Sequence, residues 1–322
     1  MIKLLVFLFL LISNTAFAQM NIVTSSIPGG GADIQARVIA KHLSKYLPNR
    51  QTVNVINMQG AGGLNMTNWM YNVAEPNSHI AILSVNNDTI IKGILKDKAA
   101  RYDLEKFNWL FSAEDGDDNV FVLWANNNRG LRNIEDMRSE NIYIVGNTGP
   151  NNLQTYILEE IVGIRSKIVY GYKDIIRALQ INEIDARFGT LLNARARYPQ
   201  WLSEGYEIQP ILQVGSSKRH PLLPKVPNAR EFAKTDVHKR VLDYYEKNVR
   251  LARLIFASPN MNAETINMIV AASILLEQDP EFIEDAKKLE MGVDFIHHEE
   301  TNRLMRDLLA TDPNLLRTVT HR

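Results

Sequence analysis

The chain has 322 residues, no cysteine, and equal numbers of basic and acidic side chains, 36 of each. Because the charges balance, there is no basic excess of the kind that binds nucleic acid or an anionic membrane surface. Without cysteine the chain can have no disulfide bond, no thiol nucleophile and no acylated cysteine at a mature N-terminus.

The first residues have the three parts of a secretory signal peptide. Lys3 supplies a positive charge, residues 4–12 form an apolar run, and Ala16–Ala18 has the small-x-small pattern of a cleavage site. The apolar run is shorter than the roughly 20 residues that span a bilayer, and a membrane anchor or a buried strand is the alternative. We predict cleavage after Ala18 and a periplasmic chain without stable membrane insertion, with a formal charge of 35 − 36 = −1.

From residue 19 onward, predicted strands and helices alternate. Strands are predicted at 21–26, 53–57 and 80–85, and helices from Asp33 to Pro48 and over 64–73. The apolar residues of the first helix recur at helical spacing. A β-α-β-α-β run with short connections predicts an α/β fold with a parallel, doubly wound sheet.

The same alternation returns in the second half of the chain. Without the signal peptide, 322 − 18 = 304 residues remain, which suits two domains. After about Arg250 the pattern is mostly helical, with helices near 263–277, 280–289 and 299–310. The other elements predicted in this half are strands at 120–124, 142–145, 167–169, 184–188 and 208–214, and helices at 153–162 and 174–179.

Two glycine-rich turns, Ile27–Ala32 and Gln59–Gly63, lie between a predicted strand and a predicted helix. In a parallel sheet such turns meet at the carboxyl edge, where open α/β sheets bind ligands. Glycine lets the backbone approach a ligand, and the following helix directs unpaired N–H groups and its positive dipole end at the turn. The pattern favours an anion site, for a carboxylate as readily as for a phosphate. Two tight connections without a binding role are the alternative.

Neither turn has a nucleotide-binding motif. A Walker A loop ends in Gly-Lys-Ser/Thr, which both turns lack. The pattern Gly-x-Gly-x-x-Gly fails because Ile34 and Asn65 occupy the place of the third glycine. No Gly-x-Ser-x-Gly elbow or other conventional catalytic set is present, so we expect neither an enzyme nor a cofactor.

Two charged clusters invite a metal-site interpretation but lack the required pattern. His297–Glu300 places adjacent histidines on different helix faces. Asp115–Asn119 lacks the glycine and glutamate that an EF-hand needs at its sixth and twelfth positions. We predict a solvated helix start and a surface turn, and no metal site.

Several segments, in a fixed order along the mature chain, carry a resemblance to a known family. The segments are Pro28–Asp33 with Ala36 and Arg37, Val53–Asn57, Gly60–Gly63, Gly146–Gly149, Gly171–Lys173, Asn182–Asp185, Arg219–Pro227, and Asp279–Phe282 with Ala286–Lys288. In this order, and behind a signal peptide, they resemble the periplasmic receptors of tripartite tricarboxylate transporters, also called Bug proteins.

The resemblance implies a two-lobed clamshell with the type II periplasmic-binding fold, in which each lobe is a doubly wound, mostly parallel sheet flanked by helices. Lobe 1 would comprise residues 19–120 and 250–322, and lobe 2 residues 121–249. The first two turns would hold a carboxylate, and the other lobe would close over the distal end of the ligand. The ligand-binding residues that the resemblance implies are Gly29, Gly30, Gly31, Ala61, Gly62, Gly63, Ser84, Asn86, Asn147, Thr148, Asn151, Asn152, Tyr172, Asp185 and Thr190.

The resemblance also implies a function. The protein would be a monomer that captures a small organic carboxylate and delivers it to the integral membrane subunits of a tripartite transporter. The alternatives are a sensor subunit, which would present its closed form to a receptor kinase, and a periplasmic enzyme. The family's ligands include di- and tricarboxylates, acidic amino acids and aromatic acids, and the sequence does not choose among them.

Some charged residues near the expected cleft have more than one interpretation. Asp174 replaces a glycine of the family and could pair with an amino group on a ligand, although capping of the helix that starts there is favoured. Asp33 is predicted to act as an N-cap or in the first turn of its helix. Arg187, Arg195 and Arg197 could bind a second carboxylate through the guanidinium fork, although isolated arginines are usually surface residues.

Overall fold

The computed structural model describes residues 19–84, 88–114, 120–139, 141–146, 152–169, 172, 174–251, 253–289 and 291–320. The predicted signal peptide at 1–18 and the predicted turn at 115–119 lie outside these ranges. The strands are β1 (Met20–Thr24), β2 (Val53–Asn57), β3 (His79–Ser84), β4 (Asn108–Ser112), β5 (Phe121–Asn126), β6 (Tyr143–Gly146), β7 (Ser166–Val169), β8 (Ala186–Thr190), β9 (Ile208–Val214) and β10 (Arg253–Ala257).

Helices connect and cover these strands. The α-helices are α1 (Gly31–Leu43), α2 (Leu64–Asn72), α3 (Asp88–Ile94), α4 (Ile134–Met137), α5 (Asn152–Tyr156), α6 (Ile175–Gln180), α7 (Leu191–Arg197), α8 (Asp236–Arg250), α9 (Ala263–Glu277), α10 (Pro280–Lys288), α11 (His298–Leu309) and α12 (Pro313–Thr320). A π-helical segment, Ile157–Val162, continues α5. None of the helices in the described ranges combines the length and apolar character that a bilayer crossing requires.

The strands form two five-stranded sheets with the same layout, β2-β1-β3-β10-β4 and β7-β6-β8-β5-β9. In the first sheet, β1 pairs in parallel with β2 and β3, and β10 pairs antiparallel with β3 and β4. In the second, β6 pairs in parallel with β7 and β8, and β5 pairs antiparallel with β8 and β9. Four strands of each sheet therefore run one way and one is reversed. The prediction of two mostly parallel sheets flanked by helices is confirmed.

Side chains on both faces of each sheet are buried, because helices cover both faces. Along β3, Ile80 and Ile82 join the cluster beneath α1 and α10, whereas Ala81 and Leu83 join the cluster that contains α2. This alternation is the period of two that a strand imposes. Burial on both faces explains why the central strand β3 carries a continuous apolar run at 80–83 instead of alternating polar and apolar residues.

The chain passes between the sheets twice, and both passages join the same two edges. The first runs from Ser112 at the end of β4 to Phe121 at the start of β5. The second runs from Val214 at the end of β9, through α8, to Arg253 at the start of β10. Because the reversed strands start where the parallel strands end, both passages connect the carboxyl edge of one sheet to the carboxyl edge of the other. We call these two the site edges.

The last helix of the chain crosses back to the second sheet. The helix α12 packs against α5 and α8. Its apolar residues Leu315, Leu316 and Val319 are buried in the same cluster as residues of α5 and α8. The predicted lobe 1, which includes residues 250–322, therefore contains a helix that packs against a helix of the predicted lobe 2.

Candidate functional site

Hydrogen bonds join the two glycine turns at the site edge of the first sheet. The Asn57 Nδ2 group, at the end of β2, donates to the Ser26 carbonyl at 3.0 Å and to Asp33 Oδ1 at 2.8 Å. The Met58 N–H donates to the Thr24 carbonyl at the end of β1 at 2.8 Å. The first turn and the segment that leads to the second are thus neighbours, as parallel pairing of β1 and β2 requires.

The first turn opens α1 without a side-chain cap. Gly30 is the N-cap, and its missing side chain leaves no oxygen to accept the first N–H groups of α1. Gly29 has a φ of +78°, which favours glycine. A Cβ on Gly30 would lie 2.3 Å from Ser26 Oγ, so the turn has no room for one. The uncapped helix start presents main-chain donors to an anion.

The second turn is a run of four residues with positive φ. The φ angles of Gly60, Ala61, Gly62 and Gly63 are 119°, 47°, 61° and 93°. Ala61 has a Cβ, and a non-glycine residue in this region costs about 1 kcal/mol. Residues 60–62 are exposed, so their peptide groups are accessible at the edge. Two threonine side chains stabilise the turn. Thr67 Oγ1 donates to the Gly63 carbonyl, and Thr89 Oγ1 donates to the Gly62 carbonyl.

The buried carboxylate of Asp33 fixes the first turn to β2. Its Oδ2 accepts the Gly29 N–H at 2.8 Å, its Oδ1 accepts the Asn57 amide, and Arg37 binds both oxygens at 2.9 and 3.0 Å. These bonds, Arg37 first among them, lower the pKa of Asp33 to about 2. The sequence predicted that Asp33 is either the N-cap or a first-turn residue of its helix. Gly30 is the N-cap, so Asp33 is the first-turn residue. Its oxygens face the protein, so we assign it to positioning the turn.

An arginine and a glutamate from distant strands complete this edge. Arg253, the first residue of β10, pairs with Ser84, the last residue of β3. Its Nη2 lies 3.8 Å from the position a Cβ would take on Gly31. Glu114 Oε2 lies 3.8 Å from Arg253 Nε, and the glutamate side chain is buried. Arg253 therefore places positive charge beside the uncapped start of α1. Neither residue was predicted from the sequence.

The structure describes only part of the predicted binding set outside the two glycine turns. Thr190 ends β8 at the site edge of the second sheet and caps α7 by accepting the Asn193 N–H at 3.2 Å. Tyr172 is partly buried against the apolar cluster that includes α6 and α7. Asn152 is the first residue of α5, and Ser84 ends β3. The predicted residues Asn86, Asn147, Thr148 and Asn151 lie outside the described ranges.

Asp174 caps a helix, which confirms the favoured interpretation. It is the N-cap of α6, and its Oδ1 accepts the Arg177 N–H at 2.9 Å. Capping of this kind stabilises a helix by about 1 kcal/mol.

Asp185 is not brought to the other predicted residues. It precedes β8, whereas Thr190 ends it, and five residues of strand separate the two by about 16 Å. The Asp185 side chain is buried, its Oδ2 accepts the Ile144 N–H at 2.7 Å, and its Oδ1 lies 2.9 Å from Arg129. Both oxygens thus have partners inside the second sheet. We leave Asp185 out of the proposed site.

We expect the variant Asp185→Ala to unfold more easily while binding ligand unchanged. Removing the carboxylate leaves the Ile144 N–H and the Arg129 guanidinium without this acceptor, at a cost of about 1–3 kcal/mol in the free energy of unfolding. Urea unfolding and ligand titration of the same preparation measure the two effects. An affinity loss of tenfold or more would return Asp185 to the binding site.

The described residues at the site edge of the first sheet include groups that suit anion binding. Among the described residues, no group of three or more His, Asp or Glu side chains is placed to hold a metal ion. The edge of the first sheet offers main-chain N–H groups and Arg253, with Glu114 beside the arginine. Main-chain N–H groups and a guanidinium are groups that can donate hydrogen bonds to a carboxylate.

Comparison with known proteins shows the fold. No protein-family model and no curated protein sequence matches the chain. Among solved structures, a TctC solute binding protein from Polaromonas is 16% identical, with a TM-score of 0.66 over 94% of this chain and 99% of that one. The periplasmic binding protein BugD is 17% identical, with a TM-score of 0.66 over 94% and 97%.

A third similar structure contains a ligand. MatC from Rhodopseudomonas palustris with bound malate is 16% identical, with a TM-score of 0.66 over 94% of this chain and 99% of that one. Three structures of solute-binding or related proteins thus share the two-sheet architecture along nearly their whole length. The chain therefore has the fold of the proteins whose family its sequence resembles.

Proposed function

We propose that this protein is a periplasmic receptor that binds a small organic carboxylate between its two lobes and delivers it to the membrane subunits of a tripartite tricarboxylate-type transporter. In this proposal it is a monomeric binding protein without enzyme activity, exported by the signal peptide at 1–18 and released after Ala18. The lobes are 19–120 with 250–322, and 121–249.

The observation that carries the proposal is the pair of glycine turns at one site edge. Both turns present main-chain groups, one at the uncapped start of α1 and the other in an exposed run of positive φ. Arg253 adds a positive charge next to the first turn. A carboxylate at this place would meet donors that are already oriented, which lowers the cost of ordering them on binding.

The rest of the proposed site lies on the facing edge of the second sheet. Thr190 ends β8 at that edge, and we expect it to contact the distal part of the ligand together with Asn147, Thr148, Asn151, Asn152 and Tyr172. A ligand that touches both edges binds the closed arrangement more tightly than the open one, so binding shifts the population towards closure. A membrane partner that recognises the closed arrangement then receives only loaded protein.

The bound malate of a protein with the same fold suggests the class of ligand. Malate is a four-carbon dicarboxylate with a carboxylate at each end, so one molecule has a charged group for each of the two facing edges. By analogy we propose that the ligand of this protein is a small carboxylate, and that the glycine turns bind one carboxylate group.

Thermal melting of residues 19–322 with a panel of acids tests the proposal. The protein is first unfolded and refolded to release any bound ligand. Malate, succinate, adipate, citrate, glutamate and benzoate are then compared with their uncharged amides. A ligand at about 100 times its Kd stabilises the native state by about 2.7 kcal/mol, which raises the Tm by several degrees.

We expect at least one acid to raise the Tm while its amide does not. Equal shifts with acids and amides would show binding that does not depend on the carboxylate. No shift with any acid, in a preparation that unfolds cooperatively, would overturn the assignment as a carboxylate receptor.

A further inference from the structure

Arg187 directs its charge at the site edge of the second sheet. It is the second residue of β8 and pairs with Gly146 on β6 and Trp124 on β5. Its Nη2 and Cζ atoms lie 3.0 and 3.2 Å from the position a Cβ would take on Gly189. The guanidinium therefore lies over Gly189, one residue before the end of β8, in space that any larger residue at 189 would restrict.

The guanidinium has few partners in this position. Its Nε donates to the Phe188 carbonyl at 3.0 Å. Among the residues that the structure describes, no carboxylate lies within 4.0 Å of it, and the titratable group that acts on it is the Tyr198 phenol. Burial lowers the pKa of Arg187 to about 10, so the side chain stays protonated at neutral pH. A partly buried cation without a paired anion contributes more binding free energy when a carboxylate binds to it than a solvent-exposed cation does.

The other arginines of this region are placed differently. Arg195 and Arg197, on α7, are exposed to solvent. Arg253, on the first sheet, has Glu114 beside it. Of these four arginines, Arg187 is the one whose position and surroundings suit a buried anion.

We propose that Arg187 binds the second carboxylate of a dicarboxylate ligand and so selects diacids over monoacids. The inference rests on the proposed function, in which the glycine turns of the first lobe hold the first carboxylate. The fork of Arg187 would accept the distal carboxylate when the site edges close on the ligand, and its planar N–H groups match the two carboxylate oxygens. Gly189 leaves the space in which the fork lies.

The test compares two diacids with their monoamides, which have the same size but one charge fewer. Succinate and adipate are titrated against succinamate and adipamate by calorimetry, with wild-type protein and the variants Arg187→Gln, Arg187→Lys and Arg195→Gln. We expect wild type to prefer at least one diacid over its monoamide by about 10- to 100-fold. The variant Arg187→Gln should lose this preference while keeping its affinity for the monoamide, and Arg187→Lys should keep part of it.

The exposed Arg195 supplies the matched control. Arg195→Gln removes one positive charge from the same lobe and should leave the preference unchanged. If wild type binds carboxylates but Arg187→Gln lowers the affinity for diacid and monoamide equally, or changes neither, the inference is wrong and the proposed function stands. If wild type binds none of the four compounds, the inference is wrong, and the proposed function falls with it only if no acid of the melting panel binds either.

Discussion

Replacing Gly62 with aspartate is expected to weaken carboxylate binding by roughly 100-fold, whereas asparagine at the same position should preserve most of the affinity. A Cβ on Gly62 would meet no atom within 4 Å, so either side chain fits, and both residues tolerate positive φ better than most. Only aspartate brings a negative charge to the turn. Two like charges about 5 Å apart repel by about 3 kcal/mol at an effective dielectric constant near 20, which is roughly 100-fold in Kd.

The comparison of the two Gly62 variants separates charge from shape. Calorimetric titration gives the affinities, and thermal melting without ligand shows that both variants fold. Gly30 is a poorer place for the test because its Cβ would collide with Ser26 Oγ. Equal affinities of Gly62→Asp and Gly62→Asn would show that the second turn does not contact the charged part of the ligand.

The variant Asp33→Ala is expected to lower the free energy of unfolding by about 2–4 kcal/mol and to weaken binding. The change removes the acceptor of the Gly29 N–H and of the Asn57 amide, and a hydrogen bond to a charged group contributes about 1.5–3 kcal/mol. Without the carboxylate, the first turn loses its link to β2, so its donors are no longer held in place. The variant Arg37→Ala removes an exposed partner of Asp33 and should lower the free energy of unfolding by less than about 1 kcal/mol.

The contribution of Asp33 should also depend on pH. Because its pKa in the folded protein is about 2, below its ordinary value of 3.8, the ionised carboxylate stabilises the fold fully above about pH 4. That stabilisation is lost as the pH falls from 4 towards 2. The difference in unfolding free energy between wild type and Asp33→Asn should shrink over this range. A constant difference would show that the charge of Asp33 does not matter.

Local sequence patterns predicted most of the elements that build the site. The strands 53–57 and 208–214 and the helix 263–277 coincide with β2, β9 and α9. Capping residues or turns mark the ends of these segments, such as the N-cap Asn262 before α9. The first helix ends at Leu43 instead of near Pro48, because Leu47 before the proline is extended and a short 3-10 turn precedes it.

The strands β4 and β10 were not predicted from the sequence. Without them, the part of the site that they position could not be predicted either. Both are five-residue, buried, mainly apolar segments, which periodicity alone does not distinguish from buried helix. The chain forms β10 of the first sheet only after it has completed the second sheet. The neighbours of β10 are therefore set by topology and not by local sequence. For that reason Arg253, which pairs beside β3, was not recognised from the sequence as a candidate site residue.

The position of Asp185 shows the limit of transferring residues along a sequence. The predicted strand 184–188 is β8 at 186–190 in the structure, two residues later. That shift places Asp185 before the strand, next to Ile144 and Arg129, and leaves Arg187 and Gly189 nearer the site edge. Which end of a strand faces a ligand depends on the direction of the strand in its sheet, and that direction shows only in its pairing with distant strands.

Calorimetric titration of refolded residues 19–322 with malate, succinate and adipate tests the central claim most directly, because it measures affinity and stoichiometry together. The account predicts saturable binding of at least one acid at a single site per chain, weakened by Gly62→Asp and not by Gly62→Asn. No heat of binding with any carboxylate at millimolar concentration, from protein that unfolds cooperatively, would contradict it.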